Sequence, residues 1–199
     1  MRVISESGLR SKRIGEIESP PVAGALRRPI RATSLAGRLH ALVTAALCFV
    51  LIAIFGVRIT RVAGFSMEPT LENHDGLLVN RLVYALGSPR PGDIVSLYYP
   101  PNPDRVLIKR VIAEGGDLVR IVGGLVYVND RPLRDDYVEA TFRSYENWGP
   151  ELVPDGYYFV LGDHRNSSSD SRDWGLVPLK YIIGKVKLRW WPLDHLKIF

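Results

Sequence analysis

Seventeen consecutive residues without a charge, Ala41 to Val57, lie between Arg38 and His40 on one side and Arg58 on the other. It is the one long apolar run of the chain. A membrane-spanning helix wants about 20 such residues, with roughly 17 as the lower limit, and Leu39 extends the run slightly. The flanking arginines can snorkel to the two interfaces. A buried core helix is a rival reading, because the run is short. A cleavable secretory leader is another, but its apolar region is usually about 7–15 residues and ends at a small-x-small site that is not evident here. Residues 1–40 carry eight basic residues against three acids, a bias that keeps an N-terminus in the cytoplasm. The run is read as an uncleaved, single-pass signal-anchor over 39–57, with membrane lipid as a partner. Residues 1–38 mix Arg, Ser, Gly and Pro without periodicity and read as a disordered basic cytoplasmic tail.

That tail accounts for the basic balance of the whole molecule. The chain holds 26 Lys+Arg against 21 Asp+Glu, a net charge of +5, and residues 41–199 are neutral at 18 against 18. A nucleic-acid-binding domain carries its basic excess on the folded part, so no nucleic-acid partner is expected. The single cysteine, Cys48, lies inside the apolar run. It allows no intrachain disulfide, and neither a CxxC pattern nor the spacing of the four histidines suggests a metal site. No metal and no cofactor are expected. A chain of 199 residues holds one ordinary domain plus appendages, and a monomer is the expectation.

Beyond Val57 the sequence reads mostly as β, on the extracytoplasmic side of the anchor. Ile59–Ala63, Leu77–Leu82, Ile94–Tyr99, Val106–Ala113, Leu118–Val122, Leu125–Val128, Tyr157–Leu161 and Lys185–Trp191 are short runs rich in Val, Ile, Leu and Tyr. Gly123-Gly124 separates two of them as a two-residue hairpin turn with positive φ twice. Pro100-Pro101-Asn102-Pro103 and Gly149-Pro150 break the chain into loops, and 129–154 reads as a loop-rich excursion. The expected fold class is mainly β: an antiparallel sheet domain, coiled or partly closed, without internal repeats, after one N-terminal transmembrane helix.

Chemistry enters at Gly64-Phe65-Ser66-Met67-Glu68-Pro69-Thr70-Leu71. A serine between flexible Gly64 and rigid Pro69 can be held in one pose, although most such serines are plain turn residues. A hydroxyl is a poor nucleophile and needs a base within hydrogen-bond reach. His74 sits in Glu72-Asn73-His74-Asp75-Gly76, which reads as a solvated turn. His164 lies in a polar stretch, Gly162-Asp163-His164-Arg165-Asn166-Ser167-Ser168-Ser169-Asp170-Ser171-Arg172. Lys109 is the third candidate. Strand alternation puts it on one face with Leu107, Val111 and Ala113. A lysine on an apolar face loses hydration of its charged form, and its pKa falls. The pattern alone equally allows a lysine at a strand edge reaching solvent, and Arg110, on the face of Ile108 and Ile112, shows that the alternation is not clean.

Taken together, these stretches resemble the motif boxes of bacterial type I signal peptidases, membrane-anchored proteases with a serine–lysine dyad. The resemblance covers essentially all of 39–199. It runs from the anchor through Ser66-Met67-x-Pro69-Thr70-Leu71, Gly92-Asp93-Ile94-Val95 and Lys109-Arg110-Val111-Ile112 followed by Gly116-Asp117. It continues through the glycine–aspartate–arginine box of 162–172, Trp174-Gly175-x-Val177-Pro178, Ile183-Gly184-Lys185-Val186 and Trp191-Pro192. It implies a membrane-bound serine endopeptidase that removes signal peptides from exported preproteins at the plasma (inner) membrane. By that resemblance Ser66 is the nucleophile, Lys109 the general base, and Ser168 a serine that orients the amine. Asp170 and Arg172 match a supporting buried ion pair. A substrate is expected to add as an extended strand along Val62, Ala63, Gly64, Phe65 and Ile108, with Met67 and Leu71 nearby, and to carry small residues at positions −3 and −1.

Four residues depart from the family pattern. His164 stands where the family usually has asparagine, and Asn166-Ser167 replaces an aspartate–asparagine pair, which puts local support of the site in question rather than the dyad. Gly64 stands where some members have a hydroxyl that helps bind the oxyanion. A backbone group or a bound water is expected to substitute, with glycine kept so that the substrate can approach closely. Two rivals remain: a self-cleaving serine–lysine protease, which should be soluble and carry a DNA-binding helical pair, and an anchored β module that binds an extracytoplasmic partner without catalysis.

Overall fold

The computed structural model describes residues 35–199, with the backbone alone over 52–55. The expected basic tail lies, through residue 34, outside the described residues. Ala41–Phe199 forms one compact unit, which holds every strand described below. A helix, α1, occupies Leu35–Gly56, close to the expected 39–57, and Val57 already belongs to the first strand. Leu42, Val43, Leu47 and Phe49 on α1 are exposed. The helical side chains that are described end at Leu51, and among the described residues no helix is long and apolar enough to cross a membrane.

Twelve strands follow: β1 (Val57–Arg61), β2 (Gly76–Asn80), β3 (Ile94–Tyr99), β4 (Asn102–Ala113), β5 (Leu118–Val122), β6 (Leu125–Val128), β7 (Arg131–Pro132), β8 (Trp148–Leu152), β9 (Tyr157–Leu161), β10 (Val177–Pro178), β11 (Ile182–Trp191) and β12 (Lys197–Ile198). A short helix, α2 (Ser171–Trp174), lies between β9 and β10. The larger sheet runs β1-β2-β11-β3-β4-β9-β10, with β12 also on β11, and the smaller runs β7-β6-β5-β8. Each pairing is antiparallel. Gly123 and Gly124, at φ 55° and 82°, form the expected hairpin turn between β5 and β6.

Two expected loops are strand instead. Asn102 pairs with Tyr99, so only Pro100-Pro101 forms the turn and β4 extends back through Pro103. Gly149-Pro150 lies inside β8, which is an edge strand of the smaller sheet; an edge can hold a proline because one side of the strand needs no donor. The excursion expected over 129–154 therefore contributes two strands. The two-residue strands β10 and β12 carry no hydrophobic run that would announce them.

Alternation sorts the core. On β9, Tyr158 and Val160 enter a cluster with Val95, Leu97, Val111 and Val177. Phe159 and Leu161, pointing the other way, join Ile112, Ala113, Val119, Ile121 and Val126. Each fully buried Val, Leu, Ile or Phe side chain is worth about 1.5–3 kcal/mol, so β9 ties both layers together. Ala113 does not share a face with Lys109 as alternation suggested. A register shift between Val111 and Ala113 turns it onto the cluster of Ile112, as an irregularity of this kind does to every residue beyond it.

Arg110 breaks no rule of alternation. Its side chain faces inward and is 11% exposed, and Asp163, at 1%, meets it there. The guanidinium donates from Nε and Nη2 to the two carboxylate oxygens at 2.9 and 2.6 Å, and from Nη1 to Gly92 O at 3.0 Å. The Tyr137 ring lies 4.0 Å from Cζ. A buried charge left without its partner is destabilising by about 3–5 kcal/mol. Asp163→Ala should lower the unfolding free energy in urea by that order, and Arg110→Met on the same background should recover part of it. A single variant as stable as the native chain would contradict the structural role of the pair.

Candidate active site

Ser66 sits on the turn between β1 and β2. The base of that turn is closed by Val62 N–H to Asp75 O (2.9 Å) and His74 N–H to Val62 O (3.0 Å). Its interior is anchored by Met67 and Leu71, 1% and 0% exposed, in a cluster with Val62, Leu77, Val79 and Ile94. Phe65 points outward at 56% exposure, and Ser66, between the two, is half-buried at the rim. Buried residues on one side of a turn hold its other side still.

Lys109 lies on β4 opposite Val95, on the face of Leu107 and Val111, and is 2% exposed. Its Nζ donates to Ser168 Oγ at 2.9 Å. Burial strips hydration from the ammonium and lowers the amine pKa to about 8. Asp170, Asp163 and Asp173 pull the other way, and Arg172 adds to the lowering.

Ser168 comes from the loop after β9, and that loop is stitched down by its own polar groups. Asp170 is fully buried and takes Arg172 bidentately, Nε to Oδ1 at 2.7 Å and Nη2 to Oδ2 at 2.8 Å. The same carboxylate caps α2 and accepts Gly162 N–H at 3.0 Å. Ser171 Oγ accepts Val160 N–H at 3.0 Å. A Cβ on Gly162 would fall inside both Ser168 Oγ and Ser66 O, so only glycine lets the serine turn, the lysine's partner and the end of β9 meet. His164, placed by this approach, donates its N–H to Ser66 O at 3.1 Å.

Two adjoining cavities open beside these groups. The larger, about 280 Å³, is lined by Ala63, Gly64, Phe65, Ser66, Leu107 and Lys109, with Tyr99, Arg105, Ser167 and Ser169. The smaller, about 80 Å³, includes Val62, Ala63, Gly64, Met67 and Ile108. Ser66 and Lys109 thus share one cavity, and the segments leading into them form its walls. Leu71 lines neither cavity. It is buried in the core beneath the turn, and its expected place beside a substrate is corrected: four residues along from Met67, it faces the interior.

Gly64 adopts φ +111° with nothing within 4 Å of a would-be Cβ. A side chain there is opposed by the backbone conformation rather than by neighbouring atoms of the protein. Its N–H donates to Asn73 Oδ1 at 3.1 Å and is not free for another acceptor. Sequence reasoning missed Arg105, which alternation on β4 back from Lys109 would have reached, and put Leu107 on the lysine's face without giving it a place at the cavity. It also missed the Arg110–Asp163 pair, the grip of His164 on the serine turn, and buried Arg165, which donates to Gly162 O and Asp135. Apart from Gly162, three residues before Arg165, those partners lie too far apart in the chain for a spacing to reveal them.

A family model for signal peptidase, peptidase S26, matches residues 35–191. Signal peptidase I of Leptolyngbya laminosa is 42% identical over 139 residues, covering 66% of this chain and 67% of that protein. Signal peptidase IB of Staphylococcus aureus is 35% identical over 175 residues, covering 78% of this chain and 91% of that one. The crystal structure of a signal peptidase I from Enterococcus faecalis aligns at 28% identity and a TM-score of 0.44, over 49% of this chain and 96% of its own. With a buried lysine amine and a rim serine in one cavity, and a family match running from α1 to the last residue of β11, the chain belongs to the signal peptidase family, peptidase S26.

Proposed function

We propose that Ser66 and Lys109 form the catalytic dyad of this signal-peptide-removing serine endopeptidase. The observation that carries the reading is a lysine buried to 2% whose amine, at about 8, opens onto the same cavity as a serine. An amine of that pKa is partly neutral at physiological pH and accepts a proton, which an exposed lysine near 10.4 cannot do to any extent.

The steps follow from the placement. A preprotein segment lies extended between 60–66 and 105–109, and its scissile carbonyl comes to Ser66 Oγ. As Oγ attacks, its proton passes to Lys109 Nζ, which Ser168 Oγ keeps oriented. The negative charge that develops on the carbonyl oxygen needs a fixed donor. Ser66 N–H meets no acceptor among the described residues and is placed for that task, with a second backbone group or a water beside it. The lysine ammonium then protonates the departing amine. Neutral again, it takes a proton from the water that attacks the acyl-serine, and returns it to Ser66 Oγ as the bond to the acyl carbon breaks. The 80 Å³ cavity walled by Val62, Met67 and Ile108 suits a small side chain, in keeping with preproteins that carry small residues at −3 and −1. Asp170 and Arg172 act from behind by fixing Ser168. The charge-free run 41–57 and the exposed apolar side chains of α1 support a membrane anchor, with the basic tail cytoplasmic and 58–199 extracytoplasmic.

Ser66→Ala and Lys109→Ala should each reduce cleavage of a model preprotein to near background while the domain stays folded. Lys109→Arg should fail as well, because a guanidinium stays charged. Robust turnover by any of the three removes that residue from the mechanism.

The pH dependence has a definite sign. The folded pKa of about 8 lies below the lysine's ordinary 10.5, so kcat/KM should rise through about 8 and then level off. Stability moves the same way. The unfolded chain binds more protons than the folded one between the two values, so the penalty of burying the ammonium is full below about 8 and fades as pH climbs toward 10.5. A flat activity profile across that window, with chemistry rate-limiting, counts against Lys109 as the base.

A further inference from the structure

One residue holds the Ser66 turn by its carbonyls. His164 donates its backbone N–H to Ser66 O at 3.1 Å, and its ring Nδ1 lies 3.1 Å from Phe65 O and 3.6 Å from Glu68 Oε2. Both groups facing Nδ1 are acceptors, so Nδ1 carries the hydrogen. Phe142 braces the ring edge-on, with centroids 4.5 Å apart. Phe65 O also accepts Glu68 N–H at 3.0 Å, so both of its lone pairs are engaged. His164 lines neither of the two cavities, which separates it from the reacting atoms.

We infer that His164 is a positioning residue that aims the Ser66 N–H at the oxyanion. The carbonyl of Phe65 and the N–H of Ser66 belong to one peptide unit. That unit is planar and trans, and its C=O and N–H point in opposite directions. Two hydrogen bonds that fix Phe65 O therefore fix where Ser66 N–H points. The His164 N–H on Ser66 O sets the next peptide plane in the same way, so the serine is held from both sides. A donor aimed in advance stabilises the developing charge without reorganising. Bonding at the carbonyl end also polarises the unit and strengthens its N–H as a donor. What the position requires is an N–H at the place of Nδ1, with the rest of the ring serving to fill space against Phe142. The inference rests on the role proposed for Ser66.

The test compares His164→Asn, His164→Gln and His164→Leu in the full chain in detergent, with Ser66→Ala alongside. Asparagine can place its side-chain nitrogen where Nδ1 lies, glutamine reaches the position of Nε2, and leucine offers no donor. Outright loss of an oxyanion donor lowers the rate about 10²–10³-fold, so a misaimed one should lower kcat by about 10–100-fold. His164→Gln and His164→Leu should show that loss with little change in KM, and His164→Asn should recover most of the native kcat. A peptide aldehyde forms a tetrahedral adduct through Ser66 by adding Oγ to its carbonyl carbon, with the Oγ proton passing to Lys109 and the aldehyde oxygen left as the oxyanion. Its affinity should fall in step with kcat, while affinity for an uncleavable peptide analogue stays the same. Glutamine matching asparagine, leucine turning over at the native rate, or both ligands weakening together would each overturn the inference. Cleavage by Ser66→Ala would instead overturn the dyad itself, and an inactive Ser66→Ala beside a native-rate His164→Leu would overturn only the role of His164.

Discussion

Lys109 is among the largest side chains that the fold buries completely, and its nitrogen has one hydroxyl, Ser168 Oγ, in place of a hydration shell. Desolvation on that scale makes an amine available as a base, provided that nothing nearby stabilises the ammonium. Two buried carboxylates, Asp170 and Asp163, act on Lys109 in that unwanted direction. Each is held bidentately by an arginine, Asp170 by Arg172 and Asp163 by Arg110. Arg172 acts against the acids, burial remains the largest influence, and the amine pKa is lowered to about 8. The Asp170–Arg172 pair thus bears on the Lys109 amine as well as on the fold.

One strand supplies both halves of that arrangement. Lys109 and Arg110 are consecutive on β4 and so face opposite ways, the first toward the cavity, the second toward Asp163. β9, paired with β4 at Arg110 and Val111, leads straight into the loop that carries Asp163, Ser168 and Asp170. Gly162 lets that loop close on Ser66, and His164 grips the serine turn from the same stretch. Lys109, its hydrogen-bond partner Ser168 and the support of the Ser66 turn are therefore referenced to one pair of strands and the eleven residues 162–172.

The legible parts of the sequence were those set by local rules. Six expected strands keep their boundaries at one end or both, from Ile94–Tyr99 to Lys185–Trp191, because period-2 runs with turn residues between them have no other good solution. Lys109 was ambiguous because alternation tells which residues share a face but not whether that face is covered. Its covering comes from Val95 and from Ser168, 59 residues away. Arg110 looked like an exception to the pattern because its partner is 53 residues on. Gly149-Pro150 misled because a breaker pair reads as a loop unless the strand is known to be an edge. Leu71 misled because closeness to Ser66 in the chain does not say which side of the turn a residue occupies.

The most direct test of the account is the titration of the Lys109 amine itself. Lysine labelled with ¹³C at Cε allows the side chain to be followed by NMR from about pH 6 to about pH 11, a range that spans shifted and ordinary lysines. The resonance is assigned by its absence in Lys109→Ala. The account predicts that the Lys109 resonance titrates with a midpoint close to 8. A Lys109 signal that titrates near the ordinary lysine value of about 10.4 would contradict it.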